Sequence, residues 1–150
     1  RRDSILQLCL VVESARGLRN ADIGFASGIS DPYCVVELLG RGERCRTHVV
    51  DNCLDPTWNF ATILRNVSPD DTLVFTVFDH DFGSQDEALG TAQLRCEDIS
   101  ACGFDAELPL EDKSRNGGPQ AFIHIKAMVP GAAAGELDDP SVPLARVWTS

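Results

Sequence analysis

Leu73-Val74-Phe75-Thr76-Val77-Phe78-Asp79-His80-Asp81-Phe82-Gly83-Ser84-Gln85-Asp86-Glu87 decides how this chain reads. Leu73, Phe75 and Val77 alternate with Val74, Thr76 and Phe78, the period-two pattern of a strand with one face in a core. Where the apolar run stops, four acids crowd into a Gly-containing turn. Asp79 and Asp81, two residues apart, leave the strand end on the same side. Carboxylates about 4 Å apart repel by roughly 4 kcal/mol at an effective dielectric of about 20, and no Lys or Arg lies within the loop to relieve that. A hard cation would, and clustered carboxylates with backbone carbonyls suit Ca²⁺. The alternative is a solvated turn, since Asp and Gly are turn residues in any case.

The pattern repeats on both sides. Strands are expected over Ile5–Val12, Tyr33–Leu39, Arg46–Val50, Thr57–Leu64, Leu73–Phe78, Leu89–Leu94 and Ala121–Met128. Turn clusters such as Asp51–Pro56 and Asn116–Pro119 separate them. Only Arg95–Gly103 hints at a helical turn. Seven or more short strands with little helix imply an all-β antiparallel sandwich.

The 150 residues allow one ordinary domain. Residues 1–129 read as the β-sandwich core, 130–143 as a linker or loop, and 144–150 as a closing strand or tail carrying Leu144, Val147 and Trp148. The chain starts at Arg1 with no signal-like stretch and no apolar run near the ~18 residues of a membrane span, so it is expected to be a module of a larger intracellular protein. The six cysteines form no C-x-x-C. Free thiols in a reducing compartment are therefore expected. Trp58 reads as a packing residue.

Net charge is −10. That excludes nucleic acid as the main partner and, on the whole-chain sum, disfavours anionic membranes. The charge is not evenly spread, however. A second acidic loop runs Ala21-Asp22-Ile23-Gly24-Phe25-Ala26-Ser27-Gly28-Ile29-Ser30-Asp31-Pro32-Tyr33. Asp22, Asp31, Asp79, Asp81, Asp86 and Glu87 carry most of the excess, which without them falls to −4. An EF-hand does not fit: a loop begun at Asp79 puts Gly90 where the bidentate Glu belongs. No nucleophile motif of the G-x-S-x-G kind occurs, so a non-catalytic binding module is expected.

Ser30-Asp31-Pro32-Tyr33, Leu54-Asp55-Pro56-Thr57-Trp58-Asn59, Val77-Phe78-Asp79-His80-Asp81 and Ala88-Leu89-Gly90 follow one another at suitable spacing. Together they resemble the signatures of the C2 domain, a calcium- and phospholipid-binding module, from about Ile5 to Val129. The resemblance implies an eight-stranded antiparallel Greek-key sandwich with three loops at one end forming a calcium cup. The short segment before the first strand favours the type II strand order, with Leu144–Thr149 as the closing strand. By the same resemblance, two or three Ca²⁺ ions would be held by Asp31, Asp79 and Asp81, with Asp22, Glu87, Ser84 and the carbonyls of Ile23 and His80. Nine positions separate Asp22 from Asp31 where six is usual, and Glu87 stands where the family more often has Asp.

Ile23, Phe25 and Phe82 sit at the loop tips and are the expected membrane contacts, whereas Ile29, close to the sheet, is expected to pack beneath. The expected partner is an anionic phospholipid membrane in the presence of calcium, to which a cytoplasmic protein is reversibly recruited. Arg44, Arg46 and His48 fall on one strand face, a candidate phosphoinositide site whose alternative is a plain solvated surface. The competing function is a calcium-independent protein-interaction domain.

Overall fold

The alternating runs become eight strands in the computed structural model, which describes residues 6–21, 28–115 and 119–130. They are β1 (Leu6–Arg16), β2 (Pro32–Leu38), β3 (Arg44–Arg46), β4 (Thr57–Val67), β5 (Thr72–Asp79), β6 (Glu87–Arg95), β7 (Phe104–Leu110) and β8 (Ala121–Met128). Two four-stranded antiparallel sheets result, ordered β4-β1-β8-β7 and β3-β2-β5-β6. Their inner faces meet through Leu8, Leu10 and Val12 of β1, Cys34 and Val36 of β2, Phe75 and Val77 of β5, and Ile123 and Ile125 of β8. Trp58 is buried in this core and donates its indole N–H to the Pro32 carbonyl at 3.3 Å.

The strand order is type II: the last strand, β8, lies between the first, β1, and β7, with Cys9 opposite Met128. Eight strands are complete by Met128. The closing segment expected at Leu144–Thr149 lies outside the described residues, as does the linker from residue 131 onward.

Two local expectations are corrected. Phe104–Leu110 forms β7, which no expected strand covered. It pairs with β8 alone, and an edge strand tolerates Pro109 because no ladder bond is required of that nitrogen on its open side. The run expected at Arg46–Val50 is paired only over Arg44–Arg46. There Thr47, 2% exposed, turns inward and its hydroxyl accepts the Cys34 N–H at 2.9 Å. The helical turn is a single 3₁₀ turn at Cys96–Asp98. All six cysteines are free: Cys9, Cys34 and Cys96 are buried, and Cys102 is exposed.

Gly90 shows why the Ala88-Leu89-Gly90 signature ends in Gly. A Cβ there would stand 2.9 Å from the Leu110 Cβ, where β6 and β7 close the sandwich edge through the Thr91–Glu111 bridge.

Candidate ion-binding loops

Antiparallel register fixes which acids meet. Pro32 at the start of β2 lies opposite Asp79 at the end of β5, and Asp79 lies opposite Glu87 at the start of β6. Asp31, Asp79 and Glu87 therefore arrive at one end of the sandwich although 56 positions separate the first from the last.

Asp31 and Asp79 are joined directly. The Asp31 N–H donates to Asp79 Oδ1 at 2.8 Å, and the His80 N–H donates back to the Asp31 carbonyl at 2.9 Å. Asp79 is 1% exposed. Asp31 Oδ1 accepts the Asn52 N–H at 2.7 Å from the turn between β3 and β4, where Asn52 adopts a left-handed φ of 52°. All three connections at this end thus contribute to one junction.

Ser30 is fully buried and anchors the base of the first loop: its Oγ accepts the Ala21 N–H at 2.8 Å and donates to the Arg19 carbonyl at 3.3 Å. Asp55, from the Leu-Asp-Pro-Thr-Trp signature, accepts the Gly17 N–H at 2.9 Å and fastens the end of β1 rather than facing the acids. Asp22, Ile23 and Phe25 lie outside the described residues.

In the third loop, Asp86 is the organising side chain. Its Oδ1 accepts the Asp81 N–H at 2.9 Å, its Oδ2 accepts the Tyr33 hydroxyl, and His80 Nδ1 stands 3.5 Å from Oδ2. Partial burial acts to raise the Asp86 carboxyl, but the hydrogen bonds from Tyr33, the Asp81 N–H and His80 outweigh it and hold it below the ordinary value. Burial first, and the Asp86 hydrogen bond second, push the Tyr33 hydroxyl up to about 12. Tyr33 stacks on Phe78 at 5.6 Å and meets His80 edge-on at 6.3 Å, and His80 meets Phe82 edge-on at 4.6 Å. Phe82 itself is 83% exposed. Ser84 is also exposed.

Two expectations change at this end. Ile29 does not pack beneath the loops; it is 38% exposed. The acids are not without a basic neighbour either, because Arg19, three residues before Asp22, places Nη2 2.9 Å from Glu87. Neither Arg19 nor Asn52 carried any signal in the sequence, since both act across the chain fold and belong to no motif.

Arg44, Arg46 and His48 are all exposed. Arg44 stands opposite Glu37 in the register, 3.8 Å away, and Arg46 lies 4.5 Å over the Tyr33 ring.

The donor chemistry suits a hard cation, being carboxylate oxygen throughout, with one carboxylate buried at the loop end. Among the described residues, no three His, Cys, Asp or Glu side chains already stand in a group able to hold a metal ion.

The C2 domain family profile matches residues 6–125. This chain belongs to the C2 domain family. Extended synaptotagmin-1 of Homo sapiens is 36% identical to it over 121 residues, covering 77% of this chain and 10% of that protein. The C2 chain thus spans about a tenth of the length of the curated relatives it matches. A C2 domain of plant extended synaptotagmin 1 superposes with a TM-score of 0.74 at 21% identity, covering 85% of this chain and 96% of that one. The two calcium-bound C2 domains of extended-synaptotagmin 2 give a TM-score of 0.69 at 20% identity, with 83% and 45% covered. At those identities the likeness is one of fold. Among the described residues of this C2 domain, no helix is long and apolar enough to cross a membrane.

Proposed function

We propose that this C2 domain is a calcium-dependent module that docks on anionic phospholipid membranes as part of a larger protein. The observation that carries the reading is the Asp31–Asp79 junction beside the exposed Phe82: buried carboxylate and protruding aromatic ring share one end of the sandwich. A solved relative in the same fold family, extended-synaptotagmin 2, has been seen calcium bound.

Asp31, Asp79 and Asp81 would hold the ions, joined by Asp22 and by the Ile23 and His80 carbonyls. Ca²⁺, when bound, supplies positive charge and open coordination positions for phosphate oxygens. The remaining work belongs to the chain. The hydrogen bonds from Asn52 and Asp31 fix two carboxylates in advance, and the Asp86 contacts fix the third loop. His80 props Phe82 outward, and an inserted Phe contributes roughly 1.5–3 kcal/mol by burying apolar surface. Unneutralised, the acidic loops repel an anionic surface.

Sedimentation of the 150-residue chain with phosphatidylserine vesicles tests this. Binding with calcium and release with chelator are expected, and equal binding under both conditions would sink the reading. A second reading, a calcium-independent protein-interaction domain, is favoured by the engagement of two loop acids within the chain itself: Glu87 meets Arg19, and Asp86 meets Tyr33 and His80.

A further inference from the structure

We infer that Glu87 is a strut held by Arg19 and not an ion ligand, so that Arg19 sets the number of carboxylates the loops offer. The inference deepens the proposed calcium reading and rests on it for its ligand count.

The Arg19 guanidinium is engaged on several sides. Nε donates to Asp112 Oδ2 at 2.6 Å, while Nη2 donates to the Ala88 carbonyl at 3.1 Å and stands 2.9 Å from Glu87 Oε2. Its side chain is 18% exposed and that of Asp112 only 9%, so this arm of the arrangement is sheltered from water and salt. Asp112 is fixed in turn by accepting the Ser114 N–H at 3.0 Å. The Arg19 carbonyl is held by Ser30, so the backbone and the side chain of the same residue are both pinned. One planar donor therefore ties the base of the first loop, the start of β6 and the connection between β7 and β8.

Glu87 stands next to Ala88, whose carbonyl the same guanidinium holds, so its carboxylate meets that cation with little backbone freedom. Coordinating a metal ion would require Glu87 to leave a resident positive charge already in contact. Asp31 and Asp79 are held in a different way. Their Oδ1 atoms accept backbone N–H groups, from Asn52 and Asp31 respectively, and such a donor orients a carboxylate without setting a full positive charge against it as a guanidinium does. Among the described residues, Asp31, Asp79 and Asp81 remain as the side-chain ligands, one carboxylate fewer than the count that includes Glu87.

Calorimetric titration of Ca²⁺ into the intact chain and into Glu87→Gln, Asp81→Asn and Arg19→Met variants tests the inference. Glu87→Gln is expected to change the calcium Kd by less than about twofold with unaltered stoichiometry, whereas Asp81→Asn weakens binding tenfold or more. Arg19→Met, where it folds, frees Glu87 and tightens binding severalfold. A tenfold loss or a lost ion in Glu87→Gln overturns the strut and leaves the calcium reading standing. No calcium heat in the intact chain overturns the calcium reading instead. The strut is then decided by melting in chelator: Glu87→Gln should lower Tm by about 1–3 °C in the intact chain and not at all in an Arg19→Gln background. Equal shifts in both backgrounds overturn it.

Discussion

Asp31 and Asp79 hold each other by backbone and side chain: the Asp31 N–H reaches Asp79 Oδ1 at 2.8 Å, and the residue after Asp79 returns a bond to the Asp31 carbonyl at 2.9 Å. The junction is built at strand ends, where β2 begins and β5 stops.

Asp79→Asn keeps the amide oxygen that Asp31 needs and removes the charge. Calcium affinity is expected to fall tenfold or more in calorimetric titration. Stability in chelator should hold or rise, because a carboxylate only 1% exposed is costly to keep charged. A drop in stability together with retained affinity would show that the charge serves packing alone.

Phe82→Ala separates insertion from folding. With 83% of the side chain in solvent, Tm should not move. Partition onto phosphatidylserine vesicles with calcium should weaken by about 10- to 100-fold, the equivalent of roughly 1.5–3 kcal/mol.

Tyr33 is the only tyrosine, so absorbance at 295 nm reports on it alone. Its hydroxyl should ionise near 12 in the folded chain and near 10 when unfolded. A folded value raised in this way contributes stability that is full below pH 10 and is lost as pH rises through 12. Asp86→Asn should bring the value down only part of the way, since burial is the larger cause. At the acid end the sign is opposite. The depressed Asp86 carboxyl stabilises the fold above its ordinary value and ceases to do so as pH falls through its lower folded one, a slope that Tyr33→Phe should flatten.

Gly90→Ala forces a Cβ to within 2.9 Å of Leu110 Cβ. Urea unfolding should show a loss of about 1–3 kcal/mol, the usual cost of overpacking. Native thiol labelling offers an independent check on the core: Cys102 should react at once, and Cys34, fully buried with its thiol pushed up by that burial, should react only on unfolding.

The strands with strict alternation, Leu73–Phe78 and Ala121–Met128, were legible residue by residue because alternate side chains enter the core: Leu73, Phe75 and Val77 in the one, and Ile123, Ile125 and Ala127 in the other. β7 was not, although Phe104, Ala106, Leu108 and Leu110 alternate with Asp105, Glu107 and Pro109: a Pro and two acids argue against a strand, and only pairing with β8 makes the Phe104, Leu108 and Leu110 side a core face. At the loops, the acids were visible through their spacing, but their bonding was not. Asp55, within the Leu-Asp-Pro-Thr-Trp signature, proves to fasten the Gly17 backbone, while Asp86, one of the six acids that carry the charge excess, proves to gather Tyr33, His80 and Asp81. Spacing along a chain reports which side chains can share an end of a sheet. It does not report which N–H or guanidinium reaches them first.

The insertion of β8 beside β1 has a further mechanical meaning. Cys9, near the start of the first strand, lies opposite Met128, where the last one stops, towards the pole away from Asp31. Both strands are held there by antiparallel pairing within one sheet, so a load applied at that pole is carried along the β1–β8 ladder and not through the acidic loops.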